Sequence, residues 1–279
     1  MSRTAVRSWA LVGGAAFILL VWTVPLLWTL LTSFKNDRDV LVYPPLILFE
    51  PTLANYREVL LGPTNVVGNL VASVILALVT TALTMVIAVP AAYSFARLKV
   101  RGKKPLGFYV LATQFVPPMG LIIPYFLILN QAKGIDTYWG LVLIYLTFSL
   151  PFAIWLMISY FEDIPREMEE AALLDRATRL QAFLRVILPQ ARGAIAVTVT
   201  FVFLNAWNEF LFAVVISGAK VKPVTVAMYN YISVEQTRWG QLTAAALVAM
   251  IPVIVLGIIA QKDIVKGLSA GAVKGVGRR

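Results

Sequence analysis

The sequence predicts an all-α integral membrane protein that crosses the bilayer as six helices, and three observations carry that expectation. Of 279 residues, 59% are hydrophobic and 14% charged, with a mean hydropathy of +0.81. That is more apolar side chain than one soluble core can bury, so the excess must face lipid. Charge-free stretches run over 8–34, 59–96, 105–132, 137–161 and 239–261, and a sixth over 193–219 is interrupted only by Glu209. Each exceeds the roughly 20 residues a helix needs to cross about 30 Å of hydrocarbon. Finally, the Lys and Arg residues lie in short clusters between these runs rather than along one amphipathic face. The formal charge of +10 is thus a topology signal, with anionic lipid as its partner and no nucleic acid.

Helices are expected near 9–31, 66–95, 106–130, 139–161, 193–217 and 241–261. The first is a permanent span rather than a cleaved signal, because its apolar run is too long and Trp22, Pro25 and Trp28 stand where small residues would be cleaved. With the amino terminus inside, 17 of the 24 basic residues fall on inner segments and 7 on outer ones. The positive-inside rule then places both termini in the cytoplasm. With no Cys and no His, thiol and imidazole catalysis, disulfides and His/Cys metal sites are excluded.

Pro90, Pro117, Pro118, Pro124, Pro151 and Pro252 fall in or near the spans, where each removes a backbone donor and kinks the helix. Ordinary kinked packing is one reading; a flexible gate at Pro117, Pro118 and Pro124 is the other. Glu209 lies in Asn205-Ala206-Trp207-Asn208-Glu209, which on one helix puts Asn205 a turn from the carboxylate, with Asn208 adjacent. These three residues form either a hydrogen-bonded clamp between helices or part of a substrate path. A clamp is expected to tolerate Glu209→Gln. Phe115, Tyr125, Tyr145, Trp155 and Trp207 are candidates for stacking on sugar rings, or for interfacial belts and packing.

Between the fourth and fifth spans lie about 30 residues, 162–192, of a different pattern. Pro165 opens a helix with its fixed φ, and Glu167, Glu169 and Glu170 place acidic charge at its positive end. Ala171 and Ala172 give a small surface that another protein can approach closely. Asp175 to Thr178 reads as a break. A second short helix over 179–187 carries Leu180, Phe183, Leu184 and Ile187 at helical spacing, and Pro189 stops it.

The run Glu170-Ala171-Ala172, Asp175, Ala177, Phe183 and Leu188-Pro189 resembles the "EAA" coupling loop of bacterial ATP-binding-cassette importer permeases. Ala91-Ala92-Tyr93 with Arg97, Trp207-Asn208-Glu209-Phe210, and the tail from Ile264-Val265-Lys266 through Gly271-Ala272-Val273-Lys274-Gly275 extend the resemblance over most of 60–275. The chain is similar to the binding-protein-dependent carbohydrate-uptake branch, and within it to the smaller maltose-type permease. That resemblance implies a type I importer transmembrane domain filling 1–279, with a core of about 60–265 and a cytoplasmic coupling helix-turn-helix at 162–192. Glu170, Ala171, Ala172, Asp175 and Arg176 would form the ATPase contact, with Lys266, Gly271 and Lys274 of the 262–279 tail adding to it.

The implied partners are a second homologous permease, two cytoplasmic ATPase subunits that bind ATP and Mg, and an extracellular or periplasmic sugar-binding protein. All would work at the bacterial inner membrane. Relatives usually carry Gly where this chain has Arg176, which puts the docking angle of the coupling helix in question. The tail is no phosphate loop, since Val273 rather than Gly precedes Lys274 and no Ser or Thr follows. ATP therefore belongs to another chain. The cargo stays open between a disaccharide or oligosaccharide and a glycerol phosphate. An ion-driven secondary transporter is the competing class, but it would normally place several charges at midplane.

The topology predicts that a Cys at position 101 is inside. An impermeant external thiol reagent should leave Arg101→Cys unlabelled in intact cells; labelling would reject this orientation.

Overall fold

The computed structural model describes residues 3–63, 65–99, 101–232 and 237–274, and among them every regular element is helical. In chain order these are α1 (Arg3–Ser33), α2 (Asp37–Val40), α3 (Ala54–Leu61), α4 (Val67–Arg97), α5 (Lys103–Ala112), α6 (Pro118–Gln131) and α7 (Tyr138–Asp163). They continue as α8 (Arg166–Leu174), α9 (Arg179–Ala182), α10 (Leu188–Gln190), α11 (Arg192–Asn208), α12 (Ala213–Ile216), α13 (Val224–Ala227) and α14 (Trp239–Lys274).

Four helices are long and apolar enough to span a bilayer unbroken: Leu11–Ser33 of α1, α4, α7 and Trp239–Gln261 of α14. Pro25, Pro90, Pro151 and Pro252 sit inside these continuous helices. In two of them a hydroxyl four residues on bonds to the proline's own carbonyl, Thr29 to Pro25 and Ser94 to Pro90, both at 2.9 Å.

The third and fifth apolar runs are not straight. Pro105–Phe115 and Pro118–Gln131 meet at a 96° bend, because Pro117 and Pro118 both lack the N–H that a continuing helix would use. The fifth run is helical only to Asn208; Glu209 is extended (φ −63°, ψ 125°) and helix resumes as α12. Glu209 is therefore not on a helical face with Asn205, as a regular 193–217 helix would have it. Pro189 lies at the end of the helical run Arg179–Gln190, which stops one residue beyond it, and the 74° bend falls between Gln190 and Arg192.

The chain forms two compact units, Met1–Gly68 with Ala227–Ile251, and Asn69–Val226 with Pro252–Arg279. In the first, the end of α1 is tied to the segment that follows. Asn55 donates from its amide to the carbonyls of Ser33 and Lys35 at 2.9 and 2.8 Å, and the Ser33 and Tyr56 hydroxyls bond at 2.8 Å. Lys35 is 1% exposed. Its ammonium donates to the Leu46 carbonyl at 2.6 Å and lies 4.6 Å from the Trp28 ring centroid and 5.2 Å from that of Phe49. A carbonyl and two π faces thus replace its water.

In the second unit α4, α7 and α11 supply the core. Met85, Val89, Ala92, Tyr93 and Ala96 of α4 pack with Met157 and Phe161 of α7, Phe183 and Ile187 of the 162–192 segment, and Ala191 and Ala194. Alanines at the crossings, with Ala88, Ala153 and Val202 deeper in, let the backbones approach closely. Asp136, in a left-handed conformation (φ 57°), accepts backbone N–H bonds from Gly218, Lys220 and Val221. Any Cβ at Gly218 would lie 2.6 Å from this carboxyl group, so only glycine fits. Desolvation pushes the Asp136 carboxyl up, but the N–H donors of Val221, Lys220, Gly218 and Ala219 outweigh it and hold it below the usual carboxylate range. The stability this adds is present at neutral pH and lost as acid titrates through the lowered pKa.

Candidate functional site

The 162–192 segment is built as expected up to Thr178. Pro165 caps α8, with Glu167 and Glu169 in the first turn. After Leu174 the chain reverses through a left-handed Arg176 (φ 63°). The Ala177 N–H donates to the Ala172 carbonyl at 3.1 Å and the Arg176 N–H to the Leu173 carbonyl at 3.1 Å, the paired bonds of a Schellman turn. The left-handed turn that Gly would favour is thus kept with Arg in its place, at about 1–2 kcal/mol of backbone strain. Thr178 and Gln181 then close a capping box on α9.

Beyond α9 the chain widens into a π turn, Phe183–Ile187. Of the four apolar residues expected on one face, Phe183 and Ile187 are buried while Leu180 and Leu184 are exposed. On α8, Glu170, Ala171 and Leu174 point outward with Asp175 and Arg176, Leu174 being 84% exposed, and Ala172 is half-buried.

Glu169 faces the other way. It is 7% exposed, accepts from the Tyr93 hydroxyl at 2.6 Å, and its second oxygen lies 3.9 Å from Nε of Arg97. The Arg97 guanidinium also donates to the Ile164 carbonyl. Tyr93 packs on Phe183 and edge-on to Phe161, with centroids 4.5 and 6.0 Å away. The hairpin is therefore joined to α4 by a buried ionic contact inside an aromatic cluster.

A second feature lies where the two broken runs meet. A cavity of about 420 Å³ is lined by Pro118, Tyr145, Phe148, Asn205, Asn208 and Glu209, among others. The Glu209 carboxylate reaches forward to accept the Phe212 N–H at 2.8 Å and the Ala213 N–H at 3.0 Å. The Thr225 hydroxyl donates to the Glu209 carbonyl at 3.0 Å. The carboxylate thus caps the restarted helix, satisfying donors that hydrocarbon would leave unpaired.

Residues 85–269 match the family model for the binding-protein-dependent transport system inner membrane component. The chain belongs to this family. The chain is 32% identical to the trehalose/maltose transport system permease protein MalG of Thermococcus litoralis, over 99% of this chain and all of that protein. Against the trehalose transport system permease protein SugB of Mycobacterium tuberculosis the identity is 37%, covering 90% and 92% of the two chains. Against the sulfoquinovosyl glycerol transport system permease protein SmoH of Agrobacterium fabrum it is 35%, covering 94% and 92%. The crystal structure of a bacterial ABC transporter that imports the acidic polysaccharide alginate has the same fold, with a TM-score of 0.76 at 24% identity, over 94% of this chain and 98% of that one.

Within this inner membrane component, the structure gathers Asn205, Asn208, Glu209 and Pro118 around one cavity, while Pro117 caps α6 at the bend. Of the five candidate stacking aromatics, Tyr145 lines the cavity; Tyr125 packs on the lining residue Phe212, Trp207 is buried on Phe203, and Phe115 and Trp155 are exposed. Phe148 and Phe212 line it as well, brought there by the fold rather than by any local sequence pattern. Lys266, Gly271 and Lys274 lie on α14, with side chains outside the described residues. Glu169 was missed as a joint because its acidic neighbours look alike in sequence. The signal was its place on the same α8 face as Ala172 and Leu173.

Two tests follow from this geometry. Arg176→Gly should relieve about 1 kcal/mol of strain, slowing amide exchange at Arg176 and Ala177 by about fivefold; faster exchange would contradict the left-handed turn. A Gln at 209 has one acceptor where the carboxylate uses two, so the tolerance expected of an interhelical clamp disappears. Glu209→Gln should destabilise the protein by about 1–3 kcal/mol and Glu209→Ala by at least as much; an unshifted thermal midpoint for the Gln variant would show that the cap is unimportant.

Proposed function

We propose that this chain is one of two homologous permease subunits of an ATP-driven importer carrying a disaccharide or oligosaccharide across the bacterial cytoplasmic membrane, with both termini inside. Two ATPase subunits bind ATP and Mg, and a soluble sugar-binding protein delivers the cargo from outside. The observation that carries the reading is the 162–192 hairpin. One of its faces, with Glu170, Ala171 and Leu174, is exposed, while Phe183 and Ile187 on the other are locked into the bundle. An element anchored on one side and bare on the other is suited to receive force from a partner and pass it on.

A sugar cargo is supported by the relatives named for trehalose, maltose and sulfoquinovosyl glycerol transport. It is also supported by a cavity pairing aromatic faces with amide and carboxyl groups, the combination that binds a pyranose through its apolar face and its hydroxyls. In this reading Asn205 and Asn208 offer hydrogen bonds to cargo, Glu209 shapes the wall, and the Pro117-Pro118 bend is where the path can open.

The test is uptake of labelled trehalose and maltose by cells expressing the complete system with and without its ATPase subunits. Uptake should require them, and sugar uptake that persists without them would overturn the reading. Glu170→Lys or Ala171→Arg, both on the exposed face, should leave the chain inserted but cut ATPase association and uptake at least about tenfold. Normal association with either variant would remove the hairpin from that role.

A further inference from the structure

We infer that α4 is the rod that carries movement of the hairpin across the membrane, joined to the hairpin by Tyr93 and Arg97 on Glu169 and to the opposite side by Asn69 and Ser73. This rests on the hairpin being the ATPase contact. The residue beside the exposed Glu170 is the buried Glu169, so a push on the outer face of α8 acts directly on the joint. Phe161 and Phe183, which surround it, make non-directional contacts that can slide. The 2.6 Å hydrogen bond from Tyr93 and the Arg97 ion pair cannot separate without leaving a buried charge unpaired. Arg97 also holds Ile164, where α7 ends, so the grip spans both ends of the α7–α8 link.

From this joint α4 runs 31 residues, about 46 Å at 1.5 Å per residue, helical through Pro90. Near its far end the Asn69 amide donates to the Lys222 carbonyl at 2.8 Å, and the Ser73 hydroxyl accepts the Val224 N–H at 2.8 Å. The segment held there belongs to the connection between the fifth and sixth spans, on the side opposite the hairpin. It also carries the Lys220 and Val221 amides that Asp136 binds. One helix thus has specific polar bonds at both ends, and Tyr93, Glu169, Arg97, Asn69 and Ser73 are positioning residues for transport.

The experiment measures sugar imported per ATP hydrolysed by the whole complex in proteoliposomes, with its binding protein and trehalose or maltose, whichever the wild type carries. Tyr93→Phe keeps the ring and its packing and removes the one bond. It should lower the ratio by about threefold or more, within the range by which mutations along a coupled network act. Asn69→Ala, at the other end, should lower it comparably, and the double variant should be no worse than the worse single one.

A wild-type ratio for Tyr93→Phe would overturn the inference. So would transport and hydrolysis falling in step, or losses that multiply in the double variant. If Tyr93→Phe fails to assemble, Glu169→Gln, which keeps an acceptor for Tyr93 while removing the charge, takes its place with the same expected loss; failure of both to assemble would make the contact purely structural and overturn the inference as well. Wild-type transport without ATPase subunits would instead remove the underlying reading.

Discussion

Hydrocarbon supplies no hydrogen-bond partners, so every backbone N–H and C=O at membrane depth must be satisfied within the chain. The four unbroken spans meet this demand by helix except where Pro25, Pro90, Pro151 and Pro252 each withhold one donor, and hydroxyls of Thr29 and Ser94 add bonds to the carbonyls of Pro25 and Pro90. The two interrupted runs cannot, and each break is stitched by a side chain. Gln114 donates to the Phe148 carbonyl at 3.1 Å beside the bend at Pro117, and Glu209 caps the restart at Phe212 and Ala213. Both breaks border the same cavity. Irregular backbone is tolerated in a membrane where it is buried in protein or lines a cavity, so the cavity and the breaks are one feature. Glu209 is then less a ligand-seeking charge than the group that lets the wall of the cavity exist.

The spans were legible because lipid exposure writes itself into composition: a charge-free run is long enough to cross or it is not. The helix-turn-helix at 162–192 was legible through Pro165, the acidic first turn and the small residues of its "EAA" run. Two things were not. The break at 209 has no Pro or Gly between Asn205 and Phe212 to announce it; it is held by a carboxylate reaching forward and by Thr225, 16 residues on. The burial of Glu169 depends on helix phase and on Tyr93, 76 residues away, neither of which a local pattern of three glutamates reveals.

The hairpin is divided into a bare face and an anchored face. Phe183 and Ile187 bury large apolar side chains, each worth about 1.5–3 kcal/mol. The Glu169 contacts add direction that apolar packing lacks. Arg176 shows how firmly the turn between the helices is specified: the left-handed geometry survives with a side chain that disfavours it, because the two backbone bonds to Ala172 and Leu173 over-determine it.

The central claim, that the outer face of this hairpin is where a cytoplasmic ATPase subunit docks, is tested most directly by site-specific cross-linking in assembled membranes. The chain has no Cys, so a single Leu174→Cys or Leu180→Cys labelled with a photoreactive thiol reagent reports its neighbour unambiguously. Cross-links to the ATPase subunit from both positions, with none from Lys220→Cys, are the result this account predicts. Cross-links from 220 with none from 174 or 180 would contradict it.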